Sequence, residues 1–302
     1  MYAHKNTRQS GSTHVMPSGN SFLLERFENY LANMNRSFED FAGTLPVIGV
    51  QISHLEVTTS TMDVAWKMAH DGAPDGTVVI ADHQSAGRGR HDRSWVSKQA
   101  QDILCSVILR PRVALAGELL MLAALAATDV ASSLGIEAGI KWPNDVQVGG
   151  KKLAGVIAES KTGPGSGGEI QESSDLITAV IGIGLNVNFD PASATETAPD
   201  SSSLATELGQ DVDRQDVFQR LMQSLDTHYS TITTGGTVIP IWRERLTTLG
   251  REVMIASGKP NEPAELSGLA HDVDSIGRLI VRDENGRDWP VSAGEVTVRS
   301  IR

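Results

Sequence analysis

The sequence predicts an α+β fold whose strands mostly meander, with a small β-barrel at its C-terminal end. Three observations carry this. From residue 47 to about 190, apolar segments of strand length alternate with segments of helical periodicity. The strongest helix, Gly117 to Leu134, places Leu119, Leu120, Leu122, Ala123, Ala126, Ala127 and Val130 on one wide apolar face. After Gly250 the texture changes to short alternating strands parted by turn residues, the pattern of a small barrel.

Taken in order, residues 1–45 form an N-terminal extension. Its first 20 or so residues are polar and predicted disordered, and Phe22 to Met34 carries one amphipathic helix. A catalytic-size domain spans 46–248. Val47-Ile52 and Leu55-Val57 read as extended, and Ser60 to Ala69 as helical with Ser60 or Thr61 as N-cap. Val78-Ala81 and Ile103-Leu109 read as strands; Ile140-Trp142 and Asp145-Val148 flank a proline turn, and Gly149-Gly150 marks a hairpin. Leu153-Glu159 and Leu176-Leu185 are strands separated by a Gly/Ser/Pro loop at Thr162 to Gly168. Residues 191–203 read as a loop, and Arg214 to Thr231 and Val238 to Leu246 as helices. Residues 249–302 hold the predicted barrel: Glu252-Ala256, Ala264-Ala270, Leu279-Arg282 and Val296-Ser300, with a type I′ turn at Asn285-Gly286.

Composition narrows the function. With 302 residues there is room for one large domain and one small one. A net charge of −11 argues against nucleic-acid binding by bulk electrostatics, so the basic cluster at 88–93 stands out against an acidic background. The single cysteine, Cys105, excludes an intrachain disulfide and lies in an apolar strand, where it packs rather than reacts. No apolar run reaches the ~20 residues that span a bilayer. The N-terminus lacks the apolar stretch of a signal peptide, so the cytoplasm is the expected compartment and no membrane partner is expected.

The most telling run is Gly87-Arg88-Gly89-Arg90-His91-Asp92-Arg93-Ser94-Trp95, which follows a strand. Glycine lets backbone approach a ligand, and arginine offers a rigid fork of donors to carboxylate or phosphate. Three further segments accompany it: Ser60-Thr61; Lys141-Trp142-Pro143-Asn144-Asp145 with Lys151-Lys152-Leu153-Ala154-Gly155; and Gly182-Ile183-Gly184-Leu185-Asn186. Lys141, on a strand, needs an anionic partner if buried. Asp145 is a hard-oxygen ligand suited to Mg²⁺ or else the anchor of its turn. No Ser/His/Asp arrangement and no metal-binding histidine cluster is present.

Together these four segments closely resemble the biotin protein ligases, over about residues 47 to 302. The resemblance implies a central mixed β-sheet with helices, of the class II aminoacyl-tRNA synthetase and biotin ligase type, and an SH3-like C-terminal barrel. It implies ATP-dependent formation of biotinyl-5′-AMP and transfer to a lysine of a biotin carboxyl-carrier domain of a carboxylase, with Mg²⁺ and no prosthetic group. Arg88, Gly89 and Arg90 would then donate to the biotin carboxylate and phosphates, with Gly87 in the same loop and Arg90 retaining the adenylate. Trp95 would shield the ligand or act as a core aromatic, and Arg93 would reach phosphate or solvent. Lys152 would contact the carboxylate and α-phosphate beside Gly155, Lys141 would assist phosphate binding, and Asn144 would bind nucleotide or cap its turn. Ser60 and Thr61 would bond the ureido ring, Gln84 would form the pocket wall and Asn186 would lie near adenine. Met62 stands where the family commonly has asparagine, which removes a side-chain contact.

The short N-terminal region, with one evident helix and no basic stripe, points to a monofunctional ligase without a winged DNA-binding domain, as monomer or homodimer, with no nucleic-acid partner. The alternatives are a biotin-responsive transcriptional regulator, a ligase of lipoate or another acyl group, and a non-catalytic biotin binder. The intact loop and the C-terminal barrel argue against the second, and the retained Arg90, Lys141, Asp145 and Lys152 argue against the third.

Overall fold

The computed structural model describes residues 37–89, 93–161, 175–194, 198–256, 266–292 and 295–298. The expected helix at Phe22 to Met34, the loop at Thr162 to Gly168, and Arg90 lie outside them.

The central sheet is built from β1 (Ile52–Thr58), β2 (Val78–Gln84), β3 (Ile103–Leu109), β4 (Gly139–Lys141), β5 (Asp145–Val148), β6 (Lys151–Lys161) and β7 (Thr178–Leu185). Their order is β1-β2-β3-β7-β6-β5-β4. Only β1–β2 is parallel, so the sheet is mixed. Helix α1 (Thr61–His70) covers one face and α2 (Glu118–Ser133) the other. Val79, Ile108 and Val180 therefore bury against α1, while Val78, Ile80, Val107 and Ile181 bury on the α2 side. Strands covered on both faces read as unbroken apolar runs rather than alternating ones, as Ile103–Leu109 does.

The segment expected as a strand at Val47-Ile52 becomes one only at Ile52. Before it the chain turns. The backbone N–H groups of Val47 and Ile48 both donate to Asp226 Oδ1 at 2.8 Å, and Ile48 is buried. A distant carboxylate thus satisfies donors that a strand partner would otherwise take.

Beyond β7 lie two short helices, α3 (Pro191–Ala194) and α4 (Leu204–Leu208), then α5 (Arg214–Thr233) and α6 (Ile239–Glu244). Helix α3 falls inside the stretch expected as loop, and α4 follows it. Helix α4 is capped at both ends: Ser203 accepts from Thr206 N, and Gly209 closes the helix at φ 70°. Asp129 of α2 ties this layer together, accepting from His228 and Ser224 of α5 and from Arg245. Despite its burial, these partners hold its carboxyl down at about 2. Among the described residues no helix is long and apolar enough to cross a membrane.

The C-terminal strands β8 (Glu252–Ala256), β9 (Leu266–Val273), β10 (Leu279–Arg282), β11 (Asp288–Val291) and β12 (Glu295–Val298) form an antiparallel sheet in the order β11-β10-β9-β8-β12. Among the described residues β11 and β12 do not pair, so the sheet is open there and closure into a barrel is not seen. Strand β11 was not among the expected strands; its Pro290 lies at the sheet edge, where a missing N–H costs little. The β10–β11 connection, residues 283–287, is longer than the expected two-residue turn. The Asp283 carboxylate accepts from the N–H groups of Asn285 and Arg287 within it. The buried face of this sheet (Val253, Ile255, Ala270, Leu279, Val281 and Val296) joins the core that α2 covers. Trp142 Nε1 also donates to Gly277 O at 3.1 Å.

Candidate functional site

A cavity of about 580 Å³ opens where β2, β6, β7 and the β4–β5 turn meet. Of the residues singled out in the sequence, Ser60, Thr61, Gln84, Arg88, Gly89, Arg93, Trp95, Lys141, Asn144, Asp145, Lys152, Gly155 and Asn186 line it. Gly87 does not line it, and Arg90 lies outside the described residues.

The floor is glycine because an indole lies on it. A Cβ on Gly184 would sit 2.5 Å from the Trp95 ring, and one on Gly155 would sit 2.9 Å from it. Trp95 is placed by a short antiparallel ladder. Its N–H donates to Gly87 O at 3.0 Å, and Gly89 N–H donates to Arg93 O at 2.7 Å. Gly87 serves this ladder, since its Cβ would press on Trp95 O at 3.1 Å.

One wall is neutral and rich in hydroxyl and amide groups. Ser60 holds the N-cap position of α1 with extended backbone, but its side chain makes no capping bond. Thr61 donates from both N–H and Oγ1 to Gln84 Oε1, at 2.7 and 3.1 Å, and shares a 2.8 Å bond with Ser106. Met62 also lines the cavity and rests on Gly182, whose Cβ would meet the thioether at 2.9 Å.

The opposite wall is charged. The Trp142-Pro143 peptide is cis, and the β4–β5 register sets Lys141 opposite Asp145. Lys152 Nζ lies 2.6 Å from Asp145 Oδ1, each side chain about a third exposed (34% and 30%). A bulge between Val146 and Gln147 makes this possible. Residues 152 and 155 are an odd number apart and would face opposite ways on a regular strand. The register shift turns Lys152 to the Gly155 side, where a Cβ on Gly155 would meet its Cε at 3.0 Å. Asn144 is buried, and its amide donates to the Val156 carbonyl, so it anchors the turn as well as lining the cavity.

Sequence reasoning missed two parts of the site. Residues 198–201 close it as a strap beside Lys152, whose N–H donates to Asp200 O at 2.8 Å and whose carbonyl accepts from Ser202 N. Asn186 clamps the strap by donating to Ser202 O at 2.9 Å, and its Oδ1 is buried without a hydrogen bond. Val296 reaches the cavity from the C-terminal sheet. Asp145 and the more exposed Asp200 are the carboxylates among the described lining residues. Cys105 is buried, and burial pushes its thiol up to about 12, consistent with packing rather than reaction.

Arg88 does not present a free fork. Its Nη2 lies 2.6 Å from Asp63 Oδ1, and its Nη1 lies 3.7 Å from Glu159 Oε1.

Behind the site, buried Asp102 accepts from Val187 N–H at 2.9 Å, next to Asn186. Burial pushes its carboxyl up to about 7, against the pull of backbone N–H groups and the Arg214 charge. The folded chain therefore keeps this proton between pH 4 and 7 after the unfolded chain has lost it. Stability from Asp102 is complete below pH 4, falls as pH rises through that window, and levels off above 7. The loss is on the order of 1–4 kcal/mol. Urea denaturation across pH 4.5–7.5 checks this: Asp102→Asn flattens the slope, whatever it does to absolute stability. An unchanged slope would contradict it.

The profile of the biotin/lipoate A/B protein ligase family matches residues 54–182. The chain is 34% identical to the bifunctional ligase/repressor BirA of Bacillus subtilis (strain 168) over 63% of its own length and 57% of that protein's. It thus spans little more than half of that relative. It is also 34% identical to a biotin--[acetyl-CoA-carboxylase] ligase of Mycobacterium tuberculosis, over 82% of this chain and 88% of that one. In fold it resembles the biotin protein ligase from Aquifex aeolicus in complex with biotin and ATP. That match has a TM-score of 0.65 at 23% identity and covers 82% of this chain and 98% of that one.

Proposed function

The chain belongs to the biotin protein ligases within the biotin/lipoate A/B protein ligase family, and on that premise we propose that it activates biotin with ATP and transfers it to a lysine of a carboxylase's carrier domain. One observation carries the proposal. A single cavity has a neutral hydroxyl and amide wall (Ser60, Thr61, Gln84) facing a cationic one (Lys141, Lys152), with Trp95 between them. The neutral wall suits an uncharged ureido ring, and the cationic wall suits a carboxylate and phosphates.

In the first step a biotin carboxylate oxygen attacks the α-phosphorus of ATP and pyrophosphate leaves. Two anions must approach, so catalysis is positioning plus charge stabilisation. Lys152 exchanges Asp145 for the carboxylate and α-phosphate, with Lys141, Arg93 and Arg90 on the remaining phosphate charge and Asn186 at the adenine. Asp145, a hard-oxygen carboxylate lining the cavity, would hold Mg²⁺ together with the ATP phosphates. When bound there, the ion would supply positive charge to the phosphates. Trp95 and its ladder exclude water from the mixed anhydride. In the second step the acceptor amine attacks the acyl carbon, AMP leaves, and the amine's extra proton passes to solvent. The C-terminal sheet is the SH3-like element, with a domain boundary near 248.

The test is transfer of biotin to a purified carboxyl-carrier domain with and without Mg-ATP. Labelling only with Mg-ATP, and pyrophosphate release without acceptor, is expected. Tight biotin binding with neither product would make the chain a binder or regulator.

A further inference from the structure

Resting on that reading, we propose that Asp63 and Glu159 set the affinity for the acid substrate by competing with its carboxylate for Arg88. Arg88 lines the cavity, yet its guanidinium is taken from two directions: Asp63 from the first turn of α1 and Glu159 from β6. Glu159 is itself held in place. Its other oxygen, Oε2, accepts from Trp66 Nε1 at 2.7 Å, and Lys161 Nζ sits 4.3 Å above the Trp66 ring. Glu159 Oε1 is the oxygen nearer Arg88, at 3.7 Å.

Neither carboxylate lines the cavity, so the two pairs draw the Arg88 guanidinium away from a ligand that would lie there. A ligand carboxylate bound side by side takes two parallel N–H donors of the guanidinium, so it competes with the Asp63 hydrogen bond and with the Glu159 charge for the same fork. The pairs are weak enough for this: the Arg88, Asp63 and Glu159 side chains are 40%, 55% and 43% exposed. Exposed ion pairs contribute little individually, so exchange is rapid and the ligand bears a small, constant competition. The competition acts only on a ligand that needs Arg88. It therefore penalises the acid and leaves an uncharged amide of the same shape untouched, which separates it from a purely structural contact.

The experiment titrates the full chain with biotin and, separately, with biotinamide, which lacks the carboxylate. Asp63→Asn, Glu159→Gln and the double variant are each compared with wild type. The expected result is binding of biotin tightened about two- to fivefold by each change and more by both, with biotinamide affinity unchanged. Equal weakening of both ligands would mean that the pairs merely build the loop, and no change in either would mean no competition; either overturns the proposal. A second readout is the rate at which phenylglyoxal modifies Arg88, followed by peptide mass spectrometry. It should rise in both variants without ligand. If the wild type binds neither ligand, the ligase reading fails, and an unchanged modification rate still refutes this one.

Discussion

Replacing Lys152 with alanine is expected to cut biotin-dependent pyrophosphate release by at least about a hundredfold, the scale of removing one preorganised charge from a developing anion. The ammonium is aimed into the cavity by the bulge in β5–β6, and Asp145 is its partner at 2.6 Å. Both are only partly exposed, so removing the cation costs twice. The phosphate loses its donor, and Asp145 is left as an uncompensated negative charge beside an anionic substrate. Lys152→Met, which keeps the bulk of the stem, should fall nearly as far. Lys152→Arg should recover little, because a planar fork does not replace a compact ammonium between Trp95 and Gly155. The measurement is acceptor-free pyrophosphate release at saturating biotin and ATP, with urea denaturation confirming that the variants fold. A rate within threefold of wild type would remove Lys152 from the reaction.

How legible all this was in the sequence depended on the range over which each feature is encoded. Elements whose own residues specify them were readable: β3 from its unbroken apolar run, α2 from its stripe, β8 and β10 from alternation. Errors arose where a distant group decided the backbone. Val47 and Ile48 look like a strand, but the Asp226 carboxylate takes their N–H groups. Most of the residues singled out line one cavity, though Gly87 does not and Arg90 lies outside the described residues, and the geometry that groups them was hidden. No composition rule announces the bulge that turns Lys152 toward Gly155. The 198–201 strap is small and polar, and its place beside the site depends on hydrogen bonds from Lys152 to Asp200 and from Asn186 to the adjoining Ser202. Arg88 was legible as an anion donor but not as one already engaged, because Asp63 and Glu159 lie far from it in sequence.

Gly184→Ala is expected to weaken biotin binding by at least about tenfold while the protein stays folded. A Cβ at this position would sit 2.5–2.8 Å from three atoms of the Trp95 indole. One of the two must move. Residue 184 is in a central strand, paired with Leu104 on one side and Gly155 on the other, so its backbone is held from both sides. Trp95 is held by one ladder bond to Gly87 and by the glycine floor itself, so the indole and its loop give way. The stability cost should stay in the range of about 1–3 kcal/mol seen for overpacking, since a loop can yield where a core cannot. Binding suffers more, because the displaced ring is part of the ligand's enclosure. Gly182→Ala, two residues earlier, gives a contrast. Its Cβ meets the Met62 thioether at 2.9 Å, and a flexible thioether can repack, so the loss should be smaller. The decisive comparison is a double-mutant cycle with Trp95→Ala. If the clash with the indole is the cause, Gly184→Ala should add little once the ring is gone. Full additivity of the two losses, or wild-type binding by Gly184→Ala alone, would show that the glycine floor is not what seats Trp95.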